Sequence, residues 1–143
     1  MAKIEAICIS RQKGVVKEPI PKGNFIENYG IEGDAHAGKW HRQVSLLMGE
    51  SIDRMKKILP EIVDGSFAEN IITRGLDLAQ IKVGDQLQIN GSVVLEITQI
   101  GKKCHSQCKI GVATGECIMP KEGIFARVIH GGKAQAGDEI KVI

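Results

Sequence analysis

The sequence predicts a mainly β (α+β) fold, with short strands curled into a closed or partly closed barrel and one or two short helices. Three observations predict it. Short β-branched or alternating runs recur, each bounded by glycine or by Asn-Gly. Glycine is frequent, 17 of 143 residues, which favours a turn-rich chain over a helical bundle. One segment only carries a clear helical period. A chain of 143 residues buries roughly 68–70% of its unfolded surface, so one domain spanning 1–143 can form around one core.

The elements follow in order. "KIEAICI" (Lys3 to Ile9) is β-branched and reads as a strand. Arg11 to Gly23, punctuated by Gly14, Pro19, Pro21 and Gly23, reads as turns or loop. "YGIEGDAHAGKWHRQ" (Tyr29 to Gln43) has no apolar period and reads as a long loop, a kind that is usually functional. "QVSLLMGESIDRMKKILP" holds the helix, with Ile52, Met55, Ile58 and Leu59 on one face and Pro60 past its end. "NIIT", "DQLQI" and "VVLEIT" read as strands, the last two joined through Asn90-Gly91, which suits a type I′ hairpin turn. "GIFARVI" is a further strand, His130-Gly131-Gly132 a turn, and "DEIKVI" the closing strand. "IKVGDQLQI" and "AQAGDEIKV" echo each other, each with a Gly-Asp turn before an alternating strand.

Composition narrows the function. A net charge of +2 is too small to argue for nucleic acid, and 3% aromatics leave little for base stacking. No apolar run approaches the roughly 20 residues of a membrane span. The N-terminus lacks the pattern of a signal peptide, so a cytoplasmic protein is expected, with its four cysteines reduced.

"GKKCHSQCKIG" concentrates the chemistry. Cys104, Cys108 and Cys117 with His105 offer three thiols and one imidazole, but the second close pair typical of structural zinc is missing. A reactive thiol needs a lowered pKa, which Lys102, Lys103 and protonated His105 can provide for Cys104. Cys108 and Cys117 can resolve an oxidised or sulfur-loaded Cys104, or simply pack. Cys8, inside an apolar strand, reads as core.

The Tyr29 to Gln43 loop gathers Asp34, His36, His41 and Arg42 on a glycine-rich backbone. Arg42 can fork onto a phosphate or carboxylate, and the histidines titrate near neutrality. The plainer reading is a loop held by turns at Asp34 with exposed histidines. Neither a P-loop nor a dinucleotide fingerprint is present. Glu69-Asn70, poor strand residues before an apolar strand, either form a turn or point into a pocket.

Taken together, "GIEGDAHAG…HRQVSLL", "GSFAENIITRGLDLAQIKVGDQLQI", "LEITQIGKKCHSQC" and "GIFARVIHGGKAQAGDEIKV" resemble the MOSC domain, named after the C-terminal domain of molybdenum cofactor sulfurase. The version with "CIMPKEGIFARV" is similar to small stand-alone bacterial members. The resemblance implies a barrel-like fold and a sulfur-carrier cysteine at Cys104. It implies a sulfurtransferase-type role, holding a persulfide for transfer to a molybdenum or related centre, or the binding of a molybdopterin cofactor without catalysis. Candidate cofactor-binding residues are Asp34, His36, Arg42, Glu69, Asn70, Lys103 and His105. No pyridoxal phosphate is expected in this chain, so a separate cysteine desulfurase would supply sulfur and a molybdoenzyme would be a client. A third reading is a zinc-stabilised structural domain built on Cys104, Cys108, Cys117 and His105.

Overall fold

The computed structural model describes residues 2–13, 15–101 and 122–143. The larger sheet has eight strands: β1 (Lys3–Ile9), β2 (Glu18–Ile20), β5 (Val44–Met48), β6 (Ile71–Arg74), β7 (Gln86–Ile89), β8 (Val93–Ile100), β9 (Ile124–His130) and β11 (Ile140–Val142). Their order is β11-β7-β8-β9-β5-β6-β1-β2. A smaller sheet orders β10 (Gly132–Ala134), β3 (Gly23–Ile26) and β4 (Gly30–Ile31). Neighbours run antiparallel except β5 and β6, which are parallel and joined through helix α1 (Gly49–Lys56). Parallel neighbours need such a crossover because a tight turn cannot reverse the chain twice.

The large sheet curls until its ends nearly meet, but its ladder does not close into a true barrel. β1 and the approach to β11 share one isolated bridge, Lys3 to Glu139. Backbone bonds hold the seam: Ile4 N–H to Asp138 O at 2.8 Å, Gly137 N–H to Ile4 O at 2.7 Å, and Ile140 N–H to Ala2 O at 3.1 Å. The Gly-Asp echo explains this. Asp85 Oδ2 accepts from Lys82 N–H at 3.1 Å, and Asp138 Oδ2 accepts from Gln135 N–H at 2.9 Å. The first turn bonds Ile97 of β8 as the second bonds Ile4 of β1: Gly84 N–H donates to Ile97 O and Ile97 N–H to Asp85 O, both at 2.8 Å. One turn design therefore serves both the β7–β8 pair inside the sheet and the seam at β1.

The main core fills the inside of the curl, with Ile4, Val44, Leu46, Leu87, Leu95 and Ile124 among its members and Phe25, Ile31 and Ala134 added by the small sheet. A second cluster lies on the outer face, where Ala6, Cys8, Leu47 and Ile72 meet Ile52 and Met55 of α1. A register shift between Ile4 and Ala6 lets β1 serve both clusters: Ile4 and Ile7 face inward although three residues apart. Asn90 and Gly91 have φ of 47° and 76°, as a type I′ turn requires, and Ser92 N–H returns to Ile89 O at 3.0 Å.

The helix is shorter than its sequence pattern. Val44–Met48 is a strand, because it is paired on both sides and buried on both faces, which yields a continuous apolar run. α1 ends at Lys56, so Ile52 and Met55 are buried while Ile58 is 55% exposed. The three-residue β2 within Arg11 to Gly23 carries Pro19 and lies at the sheet edge, where its missing N–H costs no ladder bond.

Candidate functional site

β5 and β9 alternate inward and outward. Val44 and Leu46, with Ile124 and Ala126, enter the core, while the Cα partners Ser45 and Phe125 point out. Over this outward strip fold the glycine-rich loop before β5 and the 65–70 turn before β6.

The loop is held by charge buried beneath it. Asp34 Oδ1 accepts from Lys17 Nζ at 2.7 Å and from Ser10 N–H at 3.1 Å, and its Oδ2 accepts from His36 N–H at 3.2 Å. Both side chains of the Lys17–Asp34 pair are 0% exposed. Lys17 Nζ also donates to Ser10 Oγ at 3.3 Å and lies 2.9 Å from His36 Nδ1. An ammonium has three N–H groups and no lone pair, so these three acceptors saturate it. Ala35 N–H to Ser10 O and Gly38 N–H to Tyr29 O, each 2.7 Å, fasten the loop further. At its end, buried Gln43 accepts from Val128 N–H at 2.9 Å and donates to Asn28 Oδ1 at 3.2 Å.

Between loop and strip lies a pocket of about 370 Å³. Lys13, His36 and Arg42 supply its polar rim, and Trp40, Phe67 and Phe125 its aromatic walls. The Arg42 guanidinium sits 4.7 Å from the Trp40 ring centroid and 5.7 Å from that of Phe125, stacked between two π faces. Its Nε is buried and has no hydrogen-bond partner among the described residues. Trp40 is itself fixed by its indole N–H donating to His36 O at 2.7 Å. Ser45 and Asn70 form the floor, and they bond each other. Asn70 Oδ1 accepts from Ser45 N–H at 2.9 Å and Oγ at 3.2 Å, and Asn70 Nδ2 donates to Cys8 O at 3.0 Å. The oxygen of the floor's amide is therefore occupied, whereas the rim presents donors and positive charge.

Of the residues nominated from sequence, His36, Arg42 and Asn70 line this pocket, and Asp34 lies behind it with its carboxylate turned to Lys17. Glu69 is buried in the 65–69 turn, where it accepts from Phe67 N–H at 2.9 Å and Gly65 N–H at 3.1 Å. Lys103, Cys104, His105, Cys108 and Cys117 lie outside the described residues. Gly101 and Gly123, which flank 102–121, bond each other at 2.6 Å, two residues from Phe125. Among the described residues no group of three His, Cys, Asp or Glu could hold a metal ion, and no helix is long and apolar enough to cross a membrane. Cys8 is core, as its strand pattern suggests. Burial, then Glu69 and Asp64, push its thiol up to about 12, so it is not a nucleophile at neutral pH.

Sequence reasoning missed Lys17 and the three aromatic walls. No local signal marks Lys17, whose partners are 7, 17 and 19 residues away. Trp40 stood inside the glycine-rich loop beside His41 and Arg42, and that adjacency was the available clue.

Glu69 gives a pH prediction. Burial raises its carboxyl from 4.5 to about 7, against the backbone N–H bonds that favour the ion. The native state then holds the proton longer than the unfolded chain. The penalty is absent below about 4.5, grows as pH rises, and is complete above about 7. Glu69→Gln removes this slope. In urea unfolding on either side of that window, the stability advantage of wild type over the variant is expected to shrink as pH rises. A pH-independent gap would contradict it.

The sequence profile of the MOSC domain matches residues 33–141. No curated protein matches the sequence. Among solved structures, the chain is similar to the YuaD protein from Bacillus subtilis, at 24% identity and TM-score 0.81, over 99% of this chain and 94% of that one. It is similar to YiiM from Escherichia coli, at 20% identity and TM-score 0.68, over 99% and 69%. It is also similar to YiiM from Geobacillus stearothermophilus, at 16% and 0.73, over 100% and 75%. At such identities the likeness is one of fold.

Proposed function

The chain belongs to the MOSC domain family, which is tied to molybdenum cofactor systems, and we propose that its pocket takes the anionic end of a molybdopterin-type molecule while Cys104 carries sulfur. The observation that carries the pocket reading is Arg42. A guanidinium held between two rings, with a buried N–H that has no partner among the described residues, is an expensive arrangement unless an acceptor arrives.

The residues present fit such a molecule. A phosphate supplies only acceptors, and the rim supplies Lys13, Arg42 and His36. A flat heterocycle suits walls of Trp40, Phe67 and Phe125, and about 370 Å³ falls within the usual size of ligand sites. When bound, the cofactor would bring the metal centre that receives sulfur. This chain's own residues bind its anionic end, orient its flat part and exclude water from both.

The sulfur step belongs to Cys104. Its thiolate attacks the outer sulfur of a donor persulfide. A new S–S bond forms, the donor's S–S bond breaks, and the donor leaves as a thiolate, so no external oxidant or reductant is needed. Lys102, Lys103 and His105, its sequence neighbours, favour the thiolate. A separate cysteine desulfurase is the proposed donor, and the cytoplasm the proposed compartment.

A second reading keeps the pocket and drops the thiol, making the chain a binding module without turnover. It is favoured by the pocket rim, where Lys13, Arg42 and His36 can take an anion without a thiol. Incubation with a persulfide donor and mass spectrometry separates the two. The carrier reading expects a gain of one sulfur atom on Cys104, lost in Cys104→Ser, with Cys8 unmodified. No gain on Cys104, with cofactor binding kept in Cys104→Ser, would leave the binding module.

A further inference from the structure

We propose that Glu69 is a positioning residue behind the pocket: as a carboxylate it closes the 65–69 turn and so sets the Phe67 wall, and a proton on it releases that wall. The use of this device rests on the pocket reading above; its test does not.

Glu69 is fully buried, while its chain neighbours Phe67, Ala68 and Asn70 line the pocket. Its two oxygens are divided between two bonds. Oε1 accepts from Phe67 N–H at 2.9 Å and Oε2 from Gly65 N–H at 3.1 Å, which ties the start of the turn to its end. Between Phe67 and Glu69, Ala68 has φ of 61°, a left-handed conformation that residues with a Cβ rarely adopt. Such a backbone persists only where its surroundings over-determine it. Ala68 N–H donates to Gly65 O at 2.9 Å and Ser45 Oγ donates to Ala68 O at 3.3 Å, and the carboxylate holds the residues on either side of that point. The Phe67 ring is shared between the pocket and the outer cluster of Cys8, Ile52 and Met55. A shift of the Phe67 backbone therefore moves a pocket wall.

A carboxylate accepts at both oxygens, whereas a carboxylic acid turns one of them into a donor. A proton on Glu69 leaves either Phe67 N–H or Gly65 N–H facing an O–H in place of an acceptor. Burial favours that proton and the backbone N–H groups oppose it, which puts the carboxyl at about 7, so both forms are populated near neutrality. The charged and titratable groups around it among the described residues are Asp64, Cys8 and Lys17. Asp64, in the same turn, favours the proton. The Cys8 thiol of β1 stays neutral, and Lys17, whose backbone meets Gly65, has its ammonium bonded to Asp34. The turn is thus tightest above about 7 and loosens as pH falls. This is the reverse of the stability trend, because ionisation loses hydration while it gains two charge-assisted bonds.

The test is an NMR titration of wild type without ligand from about pH 5.5 to 8.5, a window spanning the Glu69 transition, with the Glu69 carboxyl ¹³C signal identifying the titrating group. The Gly65 and Phe67 amide protons, the Phe67 ring and the Ala68 methyl are expected to move with the same midpoint as that carboxyl. A Glu69 carboxyl that titrates without moving the Phe67 ring, or that does not titrate in this window, would overturn the proposal, and this spectrum decides it even if variants do not fold. Binding at pH 8.5 gives a second readout with opposite signs for charge and wall. In Glu69→Gln, affinity for a phosphate-bearing pterin is expected to fall about three- to tenfold, the worth of one aromatic contact. Affinity for methyl phosphate, which lacks the flat part, is expected to hold or rise, because a negative charge has been removed. The wild-type advantage for the pterin should fade toward pH 5.5. Equal loss for both ligands, or no loss for the pterin, would count against the wall role. If wild type binds neither ligand, the pocket reading falls, and the titration still decides whether Glu69 sets Phe67.

Discussion

Replacing Lys17 with methionine is expected to lower the free energy of unfolding by about 3–5 kcal/mol. The side chain is fully buried and balances the equally buried Asp34. Removing only the cation strands a carboxylate that water cannot reach, and takes one partner each from the Ser10 hydroxyl and the His36 ring. The penalty is dominated by this stranded charge rather than by lost attraction. Lys17→Met/Asp34→Asn should therefore recover a large part of the loss, because no buried charge remains. Urea denaturation of the wild type and both variants measures this. A loss below about 1 kcal/mol for Lys17→Met would mean that the pair is hydrated in solution and behaves like a surface ion pair.

Gly65→Ala is expected to cost about 3 kcal/mol or more, although it adds one methyl group. Gly65 has φ of 91°, which side chains rarely adopt. A Cβ there would lie 1.8 Å from the carbonyl oxygen of Lys17, a backbone atom that no rotamer change can move aside. The two segments are bonded at the same point, with Lys17 N–H donating to Gly65 O at 3.0 Å. Pushing them apart displaces Lys17 at the base of the loop and loosens the turn that Glu69 closes through Gly65 N–H. Both stability and the pocket should suffer. Denaturant unfolding checks the first, and phosphate titration of the folded fraction checks the second. A variant as stable as wild type would show that the two backbones are not in this contact.

The strands that were legible are those whose side chains alternate or branch over four or more residues. "KIEAICI" became β1 with the expected bounds, and the Asn90-Gly91 hairpin joined β7 to β8. β3, β4 and β10 were not legible, since they span two to four residues in glycine-rich segments, and β3 and β10 depend on each other across more than a hundred residues while β4 pairs with the nearby β3. The helix began five residues later than its apolar run because "VSLLM" is a central strand, and a run of that kind carries no period to separate strand from helix.

The site was legible as a set of polar residues on a glycine-rich loop, not as a division of labour. His36, Arg42 and Asn70 line one pocket, as polar residues on close-approaching backbone can. Asp34 was nominated on that loop and Glu69 beside Asn70, as turn or pocket residue; Asp34's oxygens are taken by Lys17 and backbone N–H groups, and Glu69's by turn N–H groups. A carboxylate's partner is a tertiary fact, and nothing near Asp34 in sequence announces a lysine 17 positions away. The aromatic walls were hidden for a related reason. A lone Phe in a strand looks the same whether it faces core or pocket, and Phe125 is read as wall only once its neighbours Ile124 and Ala126 are seen to point inward.

The account centres on Arg42 as the anchor of an anion-binding pocket. Calorimetric titration of wild type and Arg42→Ala with a phosphate-bearing pterin, and with inorganic phosphate alone, tests it most directly. The expected result is binding to wild type and an affinity lower by about ten- to a hundredfold in Arg42→Ala, the worth of one charge-assisted hydrogen bond, with the fold intact. Equal affinities in the two proteins, or no binding to either, would contradict it.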